Sequence, residues 1–281
     1  MTEISYALAL LASITYGAAD FLGGLAAKRS TTFSVVVVSQ LAGLILMLLS
    51  LPFLPPASPT AIDIAWGVAS GLAGGIGIAL LYRSLAIGVM SVVAPVTAVC
   101  AVIIPLIVGL IFGERPTGLA ILGILLAIMA IVLVSQSGQI EKEKRAIAGV
   151  RIAIASGIAI GIFLVFLQRT GPLAGLWPLV AARGVSVAFF TAAGLISRET
   201  LIPRPKSMPI VIAGGALDMV ANILYLLAVR QGLLSIVATL TSLYPATTII
   251  LARVVLRERL RPLQQAGVVC AVLAIVLIVS D

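Results

Sequence analysis

The chain alternates between long apolar runs and short polar breaks. The runs cover residues 4–26, 33–53, 63–87, 91–112 and 118–136 and, after the longest break, 148–167, 175–197, 210–230, 234–256 and 263–280. A helix needs about 20 mostly apolar residues to cross about 30 Å of hydrocarbon. The pattern therefore predicts about ten transmembrane helices. The breaks carry turn-forming and charged residues, among them Lys28-Arg29-Ser30, Pro55-Pro56, Gly171-Pro172 and Arg204-Pro205-Lys206. The runs are apolar on every face, whereas strands of a membrane barrel would alternate apolar and polar residues. The expected fold class is an all-α integral membrane protein. The first run follows Met1-Thr2-Glu3, which lacks positive charge, and it exceeds a signal-peptide core, so it reads as a retained span.

A single register relates the two halves. Glu114-Arg115 recurs 144 residues later as Glu258-Arg259. At that offset Gly17 matches Gly161, Gly88 matches Gly232, Ser91 matches Ser235, Ala94 matches Ala238, Thr97 matches Thr241 and Gly123 matches Gly267. Residues 130–133 recur as residues 274–277. A charged linker, 138–147, separates a first repeat, 1–137, from a second, 148–281, with five runs in each. An odd number of spans sends the second half into the membrane from the opposite side. The prediction is two inverted five-helix repeats around a central cavity, related by a pseudo-two-fold axis in the membrane plane. Such a pair suits alternating access, because exchanging the conformations of the halves exchanges the open side.

Composition agrees with this picture. Hydrophobic residues make up 61% of the chain and charged ones 10%, with mean hydropathy +1.24; an ordinary globular chain is about 25% charged. The net charge of +8 would suggest nucleic acid in a soluble protein. Here it reflects loop charge, and no nucleic-acid partner is expected. Of the 18 Lys and Arg residues, Arg115, Arg169 and Arg230 fall on one face, Arg183 lies within a run, and all others fall on the opposite face. Positive charge favours the cytoplasm, which puts residues 137–147 inside the cell and both termini outside. There is no His. Histidine-based metal sites and Ser-His-Asp chemistry are excluded, and no cofactor, metal or catalytic centre is expected. Cys100 and Cys270 lie in apolar runs and read as packing residues.

Charges inside a span are costly and face a cavity or a partner. Three stand out: Asp218 near the middle of the eighth run, Arg183 inside the seventh, and Asp20 towards the end of the first. All three break the repeat, since their counterparts are Gly74, Ser39 and Leu164. Asn222 shares a helical face with Asp218, and Tyr225 extends that stripe. In the ninth run Thr241 and Tyr244 precede Pro245, which has no N–H to offer the Thr241 carbonyl. Tyr16 beside Gly17 adds an aromatic hydroxyl. The candidate substrate-binding set is Asp218, Asn222, Arg183, Asp20, Tyr16, Tyr225, Tyr244 and Thr241, with a buried Arg183–Asp218 packing pair as the competing reading. The small-residue series Gly67, Gly71 and Gly75, and Gly157 with Gly161, predict close helix approach.

Ser235–Ser242 followed by Leu243-Tyr244-Pro245, Arg257-Glu258-Arg259 and Gly267, together with the first-half set Ser91–Thr97, Gly113-Glu114-Arg115-Pro116 and Gly123, resembles the EamA family of the drug/metabolite transporter superfamily. The likeness spans essentially the whole chain as two five-helix units. One position departs: Pro245 corresponds to Ala101, with prolines instead at Pro95 and Pro105. The resemblance implies a secondary transporter rather than an enzyme, one that exports or exchanges small polar metabolites such as amino acids; the alternatives are efflux of lipophilic cations or drugs and, disfavoured by the absence of His and the wide spacing of the intramembrane acids, a membrane-embedded enzyme. It implies a multi-pass protein of the cell membrane, with the lipid bilayer and a small-molecule substrate as its partners, and a monomer or homodimer; the intramembrane acids Asp20 and Asp218 offer a place for a coupling proton, the alternative being uncoupled transport down the solute gradient. Family precedent puts both termini inside, against the charge count.

Overall fold

The computed structural model describes residues 2–88, 90–134, 143–256 and 262–279, and every regular element among them is helical. The first half holds α1 (Thr2–Ala27), α2 (Thr32–Ser50), α3 (Ala61–Ile87), α4 (Met90–Ile111) and α5 (Gly118–Val134). The second holds α6 (Glu143–Gln168), α7 (Trp177–Ile196), α8 (Met208–Val229), α9 (Leu234–Thr241), α10 (Tyr244–Leu256) and α11 (Pro262–Val279). Seven stretches are long and apolar enough to cross a membrane, with α9 and the start of α10 counted together, and shorter apolar helices lie within α4, α5 and α11. Their outer faces carry large exposed apolar side chains such as Leu49, Ile111, Leu122 and Val276. A bilayer accommodates these, and it obliges the backbone to satisfy its own hydrogen bonds as helices do.

Two boundaries differ from the sequence expectation. Helix α6 starts at Glu143, inside the charged stretch 138–147, because Glu, Lys and Arg are good helix formers and continue the apolar run upstream. The ninth run is two helices rather than one. Pro245 cannot donate to Thr241, so the turn tightens: Leu243 N–H donates to the Leu240 carbonyl at 3.3 Å and Ala246 N–H to the Leu243 carbonyl at 3.0 Å, both three residues back. The Glu258-Arg259 pair and residues 135–142 of the linker region lie outside the described residues.

Packing repeats with partners exchanged. A methyl group on Gly17 would strike the Tyr244 carbonyl and the backbone of Thr248, where α1 meets α10; on Gly161 it would strike the Ala101 carbonyl and Ile104, where α6 meets α4. Both residues of each contact are offset by 144 or, at Tyr244 and Ala101, by 143. Likewise Gly232 abuts Ser5, and Gly88 abuts Gly149. Gly71 lies on the Ala182 backbone and Gly215 on the Ser39 backbone, so α3 closes on α7 as α8 closes on α2. The first half also caps the second. The Glu114 carboxylate, in the turn after α4, accepts the N–H groups of Leu234 at 2.7 Å and Ser235 at 2.9 Å, at the start of α9. A negative charge there satisfies donors that have no partner within the helix and meets the positive end of its dipole. Asp63 caps α3 with Thr60 and also accepts the Gly171 N–H at 2.7 Å, which fixes the loop before α7.

Candidate functional site

Between the two halves the helices part around a partly open cavity lined by residues of both. Seven of the eight predicted residues line it: Tyr16, Asp20, Arg183, Asp218, Asn222, Thr241 and Tyr244. Tyr225 does not. It is fully buried behind the wall, and its hydroxyl donates to the Leu164 carbonyl at 3.0 Å, which ties α8 to α6.

Of these polar residues, four are joined with Gln40 in one chain and three stand outside it. In the chain, the Arg183 guanidinium on α7 donates to Gln40 Oε1 on α2 through one Nη and forms an ion pair with Asp218 on α8 through the other. Asn222 Nδ2 donates to the Asp218 carbonyl at 2.6 Å and to Asp218 Oδ2 at 3.3 Å. Its Oδ1 accepts the Tyr16 hydroxyl at 2.9 Å. Five side chains from four helices thus satisfy one another, and the two full charges cancel. A buried guanidinium with both ends taken is a poor receptor for an incoming carboxylate, since binding one would first strip a partner from it.

Outside the chain, the cavity is also lined by Asp20, Thr241 and Tyr244. Asp20 is 4% exposed and has no hydrogen bond or ion pair with any described residue. The Thr241 and Tyr244 hydroxyls are buried without partners. The first-half counterpart of Thr241, Thr97, donates its hydroxyl to the Ala153 carbonyl at 3.3 Å. The free hydroxyl at Thr241 is therefore particular to the cavity rather than imposed by the repeat.

Sequence reasoning missed Gln40 and the whole of the opposite wall. Gln40 had a signal, a lone amide in an otherwise apolar run next to Ser39, the counterpart of Arg183. The opposite wall is Gly74 and Ile78 on α3 with Ile160, Phe163 and Leu164 on α6. Four of these are the 144-residue counterparts of Asp218, Asn222, Tyr16 and Asp20 in that order. The Phe163 ring lies over Gly74, the position that corresponds to Asp218, so an apolar ring covers the place equivalent to the acid.

The EamA-like transporter family matches the chain twice, over residues 3–136 and 147–280. The chain belongs to the EamA-like transporter family. The two matches are themselves 144 residues apart at both ends, the register read from the Glu-Arg pairs and glycines. Membership makes this a multi-pass membrane protein of the drug/metabolite transporter type. A protein of known crystal structure shares the fold at a TM-score of 0.71 and 16% identity, over 95% of this chain and 97% of that one. A comparison with curated proteins finds no significant match.

Proposed function

We propose that this protein is a secondary transporter in the cell membrane that exports or exchanges small organic solutes bearing an ammonium group, amino acids or lipophilic amines, by alternating access. The observation that carries the reading is the cavity between the two repeats, lined by buried carboxylates. Ten spans in two inverted sets of five supply the moving parts. The exchanged packing of Gly17 with Gly161 and of Gly71 with Gly215 supports a two-fold relation between the halves, and five spans per half would place its axis in the membrane plane. A proton at a cavity acid is the coupling ion, and the working unit is a monomer or homodimer. The basic asymmetry supports a cytoplasmic 137–147 segment.

Purified protein in liposomes, loaded with one solute and challenged with a labelled panel of amino acids and amines, tests the reading. Counterflow of at least one ammonium-bearing solute is expected, and its absence across the panel refutes it. For topology, a Lys144→Cys variant is expected to resist impermeant thiol reagents in intact cells; labelling reverses the orientation.

A further inference from the structure

We infer that Asp20, with the Tyr244 and Thr241 hydroxyls, is the subsite that holds the ammonium group, that Arg183–Asp218 is a permanent internal pair, and that the cavity therefore selects primary monocations with an apolar body over zwitterions. The inference rests on the transport reading for its setting but not for its test.

Charge bookkeeping in the cavity carries the argument. Asp218 keeps one carboxylate oxygen open, yet its charge is already matched by Arg183. Asp20 has no such match. The groups within its electrostatic reach are Asp218 from α8, Tyr82 from α3, Tyr244 from α10 and Tyr16 on its own helix; none is a cation. Arg183, the cation lining the cavity, is committed to Gln40 and Asp218. An unpaired charge inside a span costs at least about 2.5–3.5 kcal/mol. Asp20 therefore requires one positive charge from outside the chain, a proton or a cation.

The hydrogen-bond count fits a primary ammonium. It offers three N–H donors. The Asp20 carboxylate and the unpartnered Thr241 and Tyr244 hydroxyls, whose oxygens can accept, offer it three acceptors. A quaternary ammonium would leave all three unanswered. The rest of the ligand faces Ile78, Ile160, Phe163 and Leu164, which offer no charge to a carboxylate. When the ammonium binds the protonated acid, the Asp20 O–H bond breaks, its proton leaves to solvent, and the carboxylate pairs with the ammonium. Proton and amine exchange one for one at a single site.

Three probes with the same aromatic body separate the possibilities: phenethylamine, its trimethylammonium analogue and phenylalanine, titrated by calorimetry against the full-length protein in detergent. Phenethylamine is expected to bind at least about tenfold more tightly than either other probe, a difference of about 1.4 kcal/mol, and to weaken as the pH falls, because protons compete for Asp20. Asp20→Asn, which keeps the shape, should abolish both the binding and its pH dependence. Tyr244→Phe, which removes only an unpartnered hydroxyl, should weaken phenethylamine severalfold while the protein melts unchanged. Phenylalanine binding as tightly as phenethylamine, or an Asp20→Asn protein that melts normally and keeps its affinity, overturns the inference. Vesicle counterflow keeps the two readings apart. Binding that depends on Asp20 without counterflow upholds the subsite and refutes transport; amino-acid counterflow unaffected by Asp20→Asn upholds transport and refutes the subsite.

Discussion

The two walls of the cavity occupy corresponding places in the two halves, yet they share almost no chemistry. One wall presents Tyr16, Asp20, Asp218 and Asn222; the other presents Ile160, Leu164, Gly74 and Ile78 at the same positions of the repeat. The helix contacts behind them behave in the opposite way. Gly17 and Gly161 make equivalent close approaches, as do Gly71 and Gly215. The difference separates two kinds of constraint. Backbone contact between helices must be satisfied in both halves, so duplication preserves it. Charge must be satisfied once, and a second buried acid on the opposite wall would add another desolvation cost with nothing to offset it. A duplicated scaffold thus carries one copy of its polar site and uses the other copy as apolar floor.

The largest expected effect falls on the internal pair. Arg183→Met leaves Asp218 buried without its partner and should cost about 3–5 kcal/mol, read as lost yield and a lower thermal transition in detergent. Arg183→Met with Asp218→Leu should recover most of that stability and, if the pair is only internal, amine binding too. A stable double variant that no longer binds amines would return Asp218 to the ligand site. Next come the matched glycines. Gly71→Ala pushes a methyl into the Ala182 backbone, and Gly215→Ala pushes one into the Ser39 backbone. Neither obstacle is a side-chain end that can swing away, so each should cost about 1–3 kcal/mol. The two costs should be alike; a large inequality would break the idea of an equivalently packed scaffold.

These contrasts also show what was legible in the sequence. The apolar runs gave the helices nearly to the residue, because length and hydropathy alone decide what spans a bilayer. The register of 144 residues was visible in glycines and in Glu114-Arg115, since tight contacts and helix ends tolerate few substitutes. Intramembrane charge pointed to Asp20, Arg183 and Asp218 for the same reason that it is costly, and polar side chains along the same runs and the ninth pointed to Tyr16, Asn222, Thr241 and Tyr244, all of which line the cavity. Tyr225 lies off the cavity because periodicity places a residue on a helix face but not on the exposed side of that face, and its hydroxyl reaches a carbonyl of α6 instead. Pro245 marked a freed carbonyl but not a full break between α9 and α10, which depends on how the next turn re-pairs. The apolar wall was hidden because isoleucine and leucine in a membrane helix carry no signal alone. Only their place opposite Tyr16, Asp20 and Asn222 in the repeat singles them out.

A smaller effect is expected where the first half caps the second. Glu114→Ala removes two acceptors from the start of α9, and hydrogen bonds to a charged group contribute about 1.5–3 kcal/mol, so a loss near the lower end is expected at this helix terminus. Glu114→Gln, which keeps one acceptor oxygen without the charge, should lose less. The order Ala, Gln, wild type in thermal stability checks it, and equal stabilities would mean that Glu114 contributes nothing across the halves. Gly109→Ala should mimic part of the effect, because a methyl there would displace the Glu114 carboxylate.

The smallest expected effect tests the apolar wall alone. Phe163 is half-buried, lies over Gly74 and lines the cavity. Its ring has no polar partner to lose, so Phe163→Ala changes only the apolar surface available to a ligand body. Burying a whole aromatic side chain stabilises by about 1.5–3 kcal/mol. A ligand that covers one face of the ring should lose about half of that, close to a tenfold fall in affinity. The fall should appear for phenethylamine and vanish for ethylamine, whose body is too short to reach across the cavity. The pH dependence of phenethylamine binding should persist, because Asp20 and its hydroxyls remain in place. If ethylamine weakened in step with phenethylamine, the substitution would have acted by collapsing the cavity, and the division of labour between the walls would fail. If neither changed, the ligand body would lie elsewhere and the apolar wall would be packing. Selective loss for the aromatic amine alone identifies one wall as reading charge and its repeat counterpart as reading shape.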